Sequence, residues 1–160
     1  MNQISLIINW LNWNKNGKLN CVITQNIDGL HQKAGSKNVF ELHGSVYRNH
    51  CMKCKKSYSA EFVFNSQDVP LCDCGGIVKP DVVLYEEQLD NDVLFSSIKA
   101  ISSCDVLIIG GTSLTVYPAS GLIKYFHGSN LILINKDSTP FDNMANLVIN
   151  QKLGDVFENV

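Results

Sequence analysis

The chain has 160 residues, 45% of them hydrophobic and 18% charged, with a formal net charge of −2. This composition excludes a disordered chain. It argues against a nucleic-acid protein, which needs a clustered basic face, because Lys53, Lys55 and Lys56 form the only basic cluster. No apolar run approaches the roughly 20 residues that span a bilayer, so no membrane partner is expected. Residues 1–11 lack the basic n-region and cleavage site of a secretion signal, so a cytoplasmic location with reduced thiols is expected.

Ile4, Ile7, Ile8 and Leu11 fall at helical spacing, which predicts an amphipathic helix over 2–13 ended near Gly17. A short buried strand follows over 20–24, then one or two helical turns over 28–34 closed by Gly35, then a strand over 39–42. Residues 49–79 are rich in cysteine and lysine and read as an inserted minidomain. Beyond it the pattern alternates. It is β-like over 81–85 and helical over 90–102, with Val93, Leu94, Ile98 and Ile101 on one side. The near-continuous apolar run over 105–109 suits a central strand of a parallel sheet covered on both faces. Gly110-Gly111-Thr112-Ser113 leads to a helix over 118–127, strands over 131–134 and 147–149, and a last helix from 155. Strand and helix in alternation imply a doubly wound α/β sheet. The expected organisation is a Rossmann-like domain of residues 1–48 and 80–160 and a small zinc-ribbon module of residues 49–79.

Cys51-x-x-Cys54 can clamp one side of a tetrahedral ion and Cys72-x-Cys74 the other. Four paired cysteines in a reducing compartment read as Zn²⁺ ligands ahead of a redox pair or unrelated thiols. Four thiolates leave no open coordination position, so the zinc is structural. Cys21 and Cys104 sit in or beside apolar strands and read as core thiols.

Open α/β sheets bind ligands at the carboxyl ends of their strands. Three polar segments fall at such ends: Gln25-Asn26, Gly111-Thr112-Ser113 and Asn135-Lys136-Asp137. Backbone N–H groups at the second could hold a phosphate with help from the following helix. Asn135 lies near where nucleotide folds place a ribose-binding residue. Asn26, Asp28 and His43 form a further polar set, with Gly44 leaving room for a ligand. A histidine with a near-neutral pKa can take a proton from a sugar hydroxyl. A lone histidine is more often structural, and the residues alone leave both readings open.

Four stretches together carry a resemblance: Thr24-Gln25-Asn26-Ile27-Asp28-Gly29-Leu30-His31, Glu41-Leu42-His43-Gly44, Lys79-Pro80-Asp81-Val82-Val83, and Gly111-Thr112-Ser113-Leu114-Thr115-Val116-Tyr117-Pro118. In this order, with the cysteines between, they resemble the sirtuins of compact bacterial type, NAD-dependent protein lysine deacylases. The resemblance implies that Gln25, Asn26 and Asp28 line a nicotinamide-ribose pocket and that His43 is the general base. It implies that Gly111, Thr112 and Ser113 hold the cofactor's phosphate and ribose side, and Asn135, Lys136 and Asp137 its adenosine end. Val83 and Tyr85 would line an acyl-lysine tunnel, with the substrate peptide added as a strand. The implied reaction consumes NAD as a co-substrate. The acyl oxygen of an acyl-lysine protein or peptide attacks C1′, nicotinamide leaves, and the acyl group ends on ADP-ribose.

Two departures from the family shape the expectations. Nothing before Thr24 matches the family's Gly-Ala-Gly phosphate loop or its Pro-Asp-Phe-Arg segment, so the Rossmann-like sheet is expected to be incomplete, without its first βα unit. The competing reading is therefore a truncated, weakly active or inactive fragment, at most a zinc-stabilised binding module. Tyr85-Glu86-Glu87 stands where the family has Phe-Gly-Glu, so a glutamate replaces a glycine.

Overall fold

The computed structural model describes residues 17–157, and the helix expected over 2–13 lies outside the described residues. In chain order the elements are β1 (Val22–Thr24), α1 (Leu30–Lys33), β2 (Val39–Glu41), β3 (Gly44–Cys51), β4 (Ser57–Tyr58), α2 (Ala60–Phe64), β5 (Val78–Val82), α3 (Asn91–Ser103), β6 (Val106–Gly110), β7 (Asn130–Ile134), β8 (Leu147–Ile149) and α4 (Leu153–Phe157). Two 3-10 segments, Ala119–Tyr125 and Asp142–Met144, complete the set. The chain divides into two compact units. One takes in Met1–Val22, Leu30–Phe40 and Asn91–Val160, the other Ile23–Gly29 and Glu41–Asp90.

In the first unit the apolar runs become a parallel sheet in the order β6-β7-β8. Leu114, Ile123, Leu131 and Leu133 form its buried core, with Leu107, Ile109, Phe126 and Val148 packed around them. This is the Rossmann-like α/β fold that the alternation of elements implies. The central strand differs from expectation. Among the described residues β7 is central, with Leu131, Leu133 and Ile134 each under 5% exposed, whereas β6 lies at an edge and its Val106 is 47% exposed. An apolar run reports how much burial a strand seeks, not its place in the sheet. The segment expected as a helix over 118–127 is a 3-10 helix instead, with Gly121 N–H donating to Pro118 O and Phe126 N–H to Ile123 O. Gly121 in its middle weakens the α-helical alternative by about 1 kcal/mol.

The second unit is built on β3, an eight-residue strand with β4 and β5 antiparallel on its two sides. The sequence gives no alternating apolar pattern there because two of its buried residues, Ser45 and Asn49, are polar, while Tyr47 is exposed. The β3–β5 register shifts between Ser45 and Asn49, yet Ser45, Asn49 and Cys51, at even spacing, are all buried on one face. The strand expected over 81–85 begins three residues earlier, at Val78, because β5 follows its partner from Cys51 opposite Val78 to Gly44 opposite Val82. Pro80 is tolerated there because β5 is an edge strand. β1 and β2 pair with each other, with Val22 N–H donating to Asn38 O and Leu42 N–H to Thr24 O. Among the described residues no helix is long and apolar enough to cross a membrane.

Candidate functional site

The cysteine cluster is assembled by two tight turns of the second unit. Cys51 ends β3, and the backbone N–H groups of Lys53 and Cys54 both point at its Sγ at 3.4 Å. Cys72 and Cys74 sit on the facing turn, which Cys72 N–H closes onto Gly76 O at 2.8 Å. A Cβ at Gly76 would lie 2.6 Å from Cys51 Sγ, so only glycine lets the two turns meet. The four sulfurs lie within 4.8 Å of one another, and the Cys51–Cys74 and Cys54–Cys72 pairs are each 3.5 Å apart. A tetrahedral Zn²⁺ with Zn–S bonds of about 2.3 Å requires sulfurs about 3.8 Å apart, so the donor set fits that ion.

The electrostatics of the cluster agree. The backbone N–H of Cys74, followed by the Tyr58 hydroxyl, stabilises the Cys72 thiolate and brings its pKa down to about 6. Cys51 is also lowered, first by the Cys54 N–H. At Cys74 the Gly76 N–H favours the thiolate, but Cys54, Cys72 and Cys51 together outweigh it and push the thiol up to about 12. Four thiols this close cannot all ionise unless a cation replaces their protons. Below the cluster Cys51, Cys72 and Val78 form a small core with Tyr58 and Val63. Lys56 pairs with Asp73 at the surface.

His43 lies in the same unit, between the end of β2 and the start of β3. Its Nδ1 is 3.0 Å from the carbonyl oxygen of Gln25, and its own carbonyl accepts from Val83 N–H at 3.0 Å. A carbonyl can only accept, so Nδ1 is the donor, and in the neutral ring Nε2 is the nitrogen with the lone pair. Gln25 thus reaches His43 through its backbone, a contact that no side-chain pattern could announce. The loop after β1 is shaped by Asn26 N–H donating to Thr24 Oγ1 at 3.1 Å and by Val46 N–H donating to Ile27 O at 3.2 Å. Gln25 and Asp28 are half-buried there, and Asn26 is exposed. Gly44, read in the sequence as leaving room for a ligand, has a different cause. Its φ is +76, and a Cβ would lie 1.9 Å from Asp81 O, so the close approach of β5 requires glycine.

Val83 follows β5 and is half-buried beside the His43 backbone. Tyr85 is fully exposed on the Leu84–Glu87 turn, which Glu87 N–H closes onto Leu84 O at 3.1 Å. Glu87 is pinned back by Leu84 N–H and Lys79 Nζ, which together lower its pKa. Glu86 adopts φ +69, in the left-handed region that favours glycine.

In the first unit, Gly110 and Ile134 are register partners on adjacent parallel strands. The segments after them, Gly111-Thr112-Ser113 and Asn135-Lys136-Asp137, therefore leave the sheet side by side at its carboxyl end. Gly111 N–H is already donated to Ile134 O at 3.1 Å. Thr112 Oγ1 accepts from Leu114 N–H, and the Ser113 and Thr115 hydroxyls are 2.7 Å apart. Leu114 has φ +55, which breaks any helical continuation, so the expected helix N-terminus does not abut this turn. Asn135 folds back, its Nδ2 donating to Asp137 O at 2.9 Å. The turn offers hydroxyls and a polar strand end in place of a dipole-backed anion cradle.

These features have counterparts in known proteins. A NAD-dependent protein deacetylase of Clostridium acetobutylicum is 63% identical over 146 residues, which cover 90% of this chain and 60% of that protein. One from Clostridium tetani is 56% identical over 148 residues, covering 91% of this chain and 60% of that protein. The chain thus spans about 60% of the length of the curated relatives it matches. A Sir2 solved with a p53 peptide and NAD⁺ superposes with a TM-score of 0.89 at 38% identity, covering 97% of this chain and 67% of that one. A structure concerned with sirtuin substrate affinity reaches a TM-score of 0.91 at 40% identity, covering 97% and 69%. The Sir2 family profile matches residues 2–118, and with these relatives it establishes that the chain belongs to the Sir2 family, the sirtuins.

Proposed function

We propose that the protein is a NAD-dependent protein lysine deacetylase, in which His43 is the general base and Zn²⁺ at Cys51, Cys54, Cys72 and Cys74 is structural. One observation carries the reading: the Gln25 carbonyl accepts from His43 Nδ1–H, so that in the neutral ring Nε2 bears the lone pair. A base held in one tautomer can accept a proton from a ribose hydroxyl without first shifting its own. Gln25, Asn26 and Asp28, on the loop that supplies this carbonyl, would bind the nicotinamide-ribose side of NAD. Gly111, Thr112 and Ser113 would bind its phosphate and ribose side, through the hydroxyls and the remaining N–H groups. Asn135, Lys136 and Asp137 would bind the adenosine end. NAD, when bound, supplies the electrophilic C1′ and the leaving nicotinamide.

The substrate class is acyl-lysine proteins or peptides. Val83, bonded to the His43 carbonyl, is suited to line the acyl-lysine channel, and Tyr85 on the adjacent turn to meet the substrate's rim. The four thiols would hold the β3 and β5 turns in place and take no part in the chemistry, since a Cys₄ ion has no open position. Residues 49–79 would form the zinc module and the remainder the nucleotide-binding part. The test is stoichiometry. An acetylated lysine peptide and NAD should give one nicotinamide per lysine unmasked, and the same peptide without its acetyl group should give none. Nicotinamide release that ignores the acetyl group would point to simple NAD hydrolysis and sink the reading.

A further inference from the structure

Glu41 ends β2, two residues before His43, and its carboxylate is 5% exposed. A buried carboxylate needs a partner, and this one has the Arg48 guanidinium, whose Nη1 lies 2.5 Å from Glu41 Oε2. The same guanidinium donates through Nε to Asp81 Oδ2 on β5 at 3.2 Å. Arg48 stands where the β3–β5 ladder is interrupted, between the paired residues Ser45 and Asn49. A single side chain therefore ties β2, β3 and β5 together across the gap in their backbone bonding.

What these strands hold between them is His43. Glu41 flanks it on one side, and on the other Gly44 packs directly against the Asp81 carbonyl. Its own carbonyl is bonded to Val83, just beyond β5. A slip of β2 or β5 would carry the imidazole away from the Gln25 carbonyl that sets its tautomer. We propose that Arg48 is a positioning residue, which through Glu41 and Asp81 fixes the strands around His43 and so keeps its Nδ1–H donating to the Gln25 carbonyl. For catalysis, the inference rests on His43 being the base proposed above.

Two readouts test it on the whole chain: the His43 tautomer, from long-range ¹H–¹⁵N spectra of the ring, and the rate of NAD-dependent nicotinamide release. In Arg48→Met the single Nδ1–H tautomer should give way to a mixture. The rate should fall at least about tenfold, with KM for NAD within about threefold, because misplaced groups lose rate more than binding. The double variant Glu41→Leu/Arg48→Met removes the buried charge together with its partner, and should regain the parent melting temperature. It should regain neither the tautomer nor the rate, and it decides the matter if the single variant fails to fold. Arg48→Lys, which keeps the charge but not the fork, should fall between. A folded Arg48→Met with the parent tautomer and rate would overturn the proposal, as would a double variant that recovers both. If the parent protein releases no nicotinamide, the deacetylase reading fails, and the tautomer comparison still judges Arg48.

Discussion

Gly44 and Gly75 share a φ of +76, yet a Cβ at Gly44 would lie 1.9 Å from Asp81 O and one at Gly75 would meet nothing within 4 Å. Alanine at either position must adopt a left-handed backbone, at a cost of about 1–2 kcal/mol. The stiffer unfolded chain returns about 0.4–1 kcal/mol of this. Gly75→Ala should therefore destabilise the protein by about 1 kcal/mol. At Gly44 the overlap with a strand backbone, which cannot rotate away as a side chain can, adds about 1–3 kcal/mol. The expected total is about 3 kcal/mol, which lowers the melting temperature by about 6–12 °C for a chain of this size, against about 2–4 °C for Gly75→Ala. Thermal unfolding of the two variants side by side isolates the contact, because the backbone term is common to both. Melting temperatures within 2 °C of each other would refute the close approach of β3 and β5 beside His43.

Glu86 occupies φ +69 on an exposed turn, so Glu86→Gly should relieve strain and raise stability by up to about 1 kcal/mol in urea unfolding; a loss of stability would contradict the turn geometry. In metal-stripped protein that keeps its fold, Cys72 with a pKa of about 6 is a thiolate at pH 7, whereas Cys74 with a pKa of about 12 is protonated. The thiolate absorbance of that protein at about 240 nm and pH 7 should then fall by about one thiolate in Cys72→Ser and stay unchanged in Cys74→Ser. It should decline as the pH falls through about 6, where the Cys72 thiolate is lost, and zinc should displace the remaining thiol protons. An absorbance unchanged by Cys72→Ser, or no proton release on adding zinc, would count against the cluster as described.

The parts of the fold that rest on long or periodic apolar patterns were legible in the sequence. The alternation of residues 105–109, 131–134 and 147–149 with helical segments became β6, β7 and β8, and the cysteine spacing announced a four-sulfur cluster. β3 was not legible, because its inward face carries the polar Ser45 and Asn49 while the aromatic Tyr47 is exposed, so no apolar alternation marks the strand. The bond from Gln25 to His43 uses a main-chain carbonyl, which every residue carries, so composition holds no trace of it. Glu41 and Arg48 are seven residues apart and meet only because the chain turns at Leu42 and His43 between β2 and β3. The helix expected over 118–127 became a 3-10 segment around Gly121, and the positive φ at Leu114 separates it from the Ser113 turn.

The central claim is that His43 acts as a base through a free Nε2. Its most direct test is nicotinamide release from an acetylated peptide by the parent protein and by His43→Ala, at saturating NAD and pH 7.5. Loss of a positioned general base should lower the rate by about 10²–10⁴-fold without lowering the melting temperature by more than a few degrees. Equal rates in the two proteins would contradict the account.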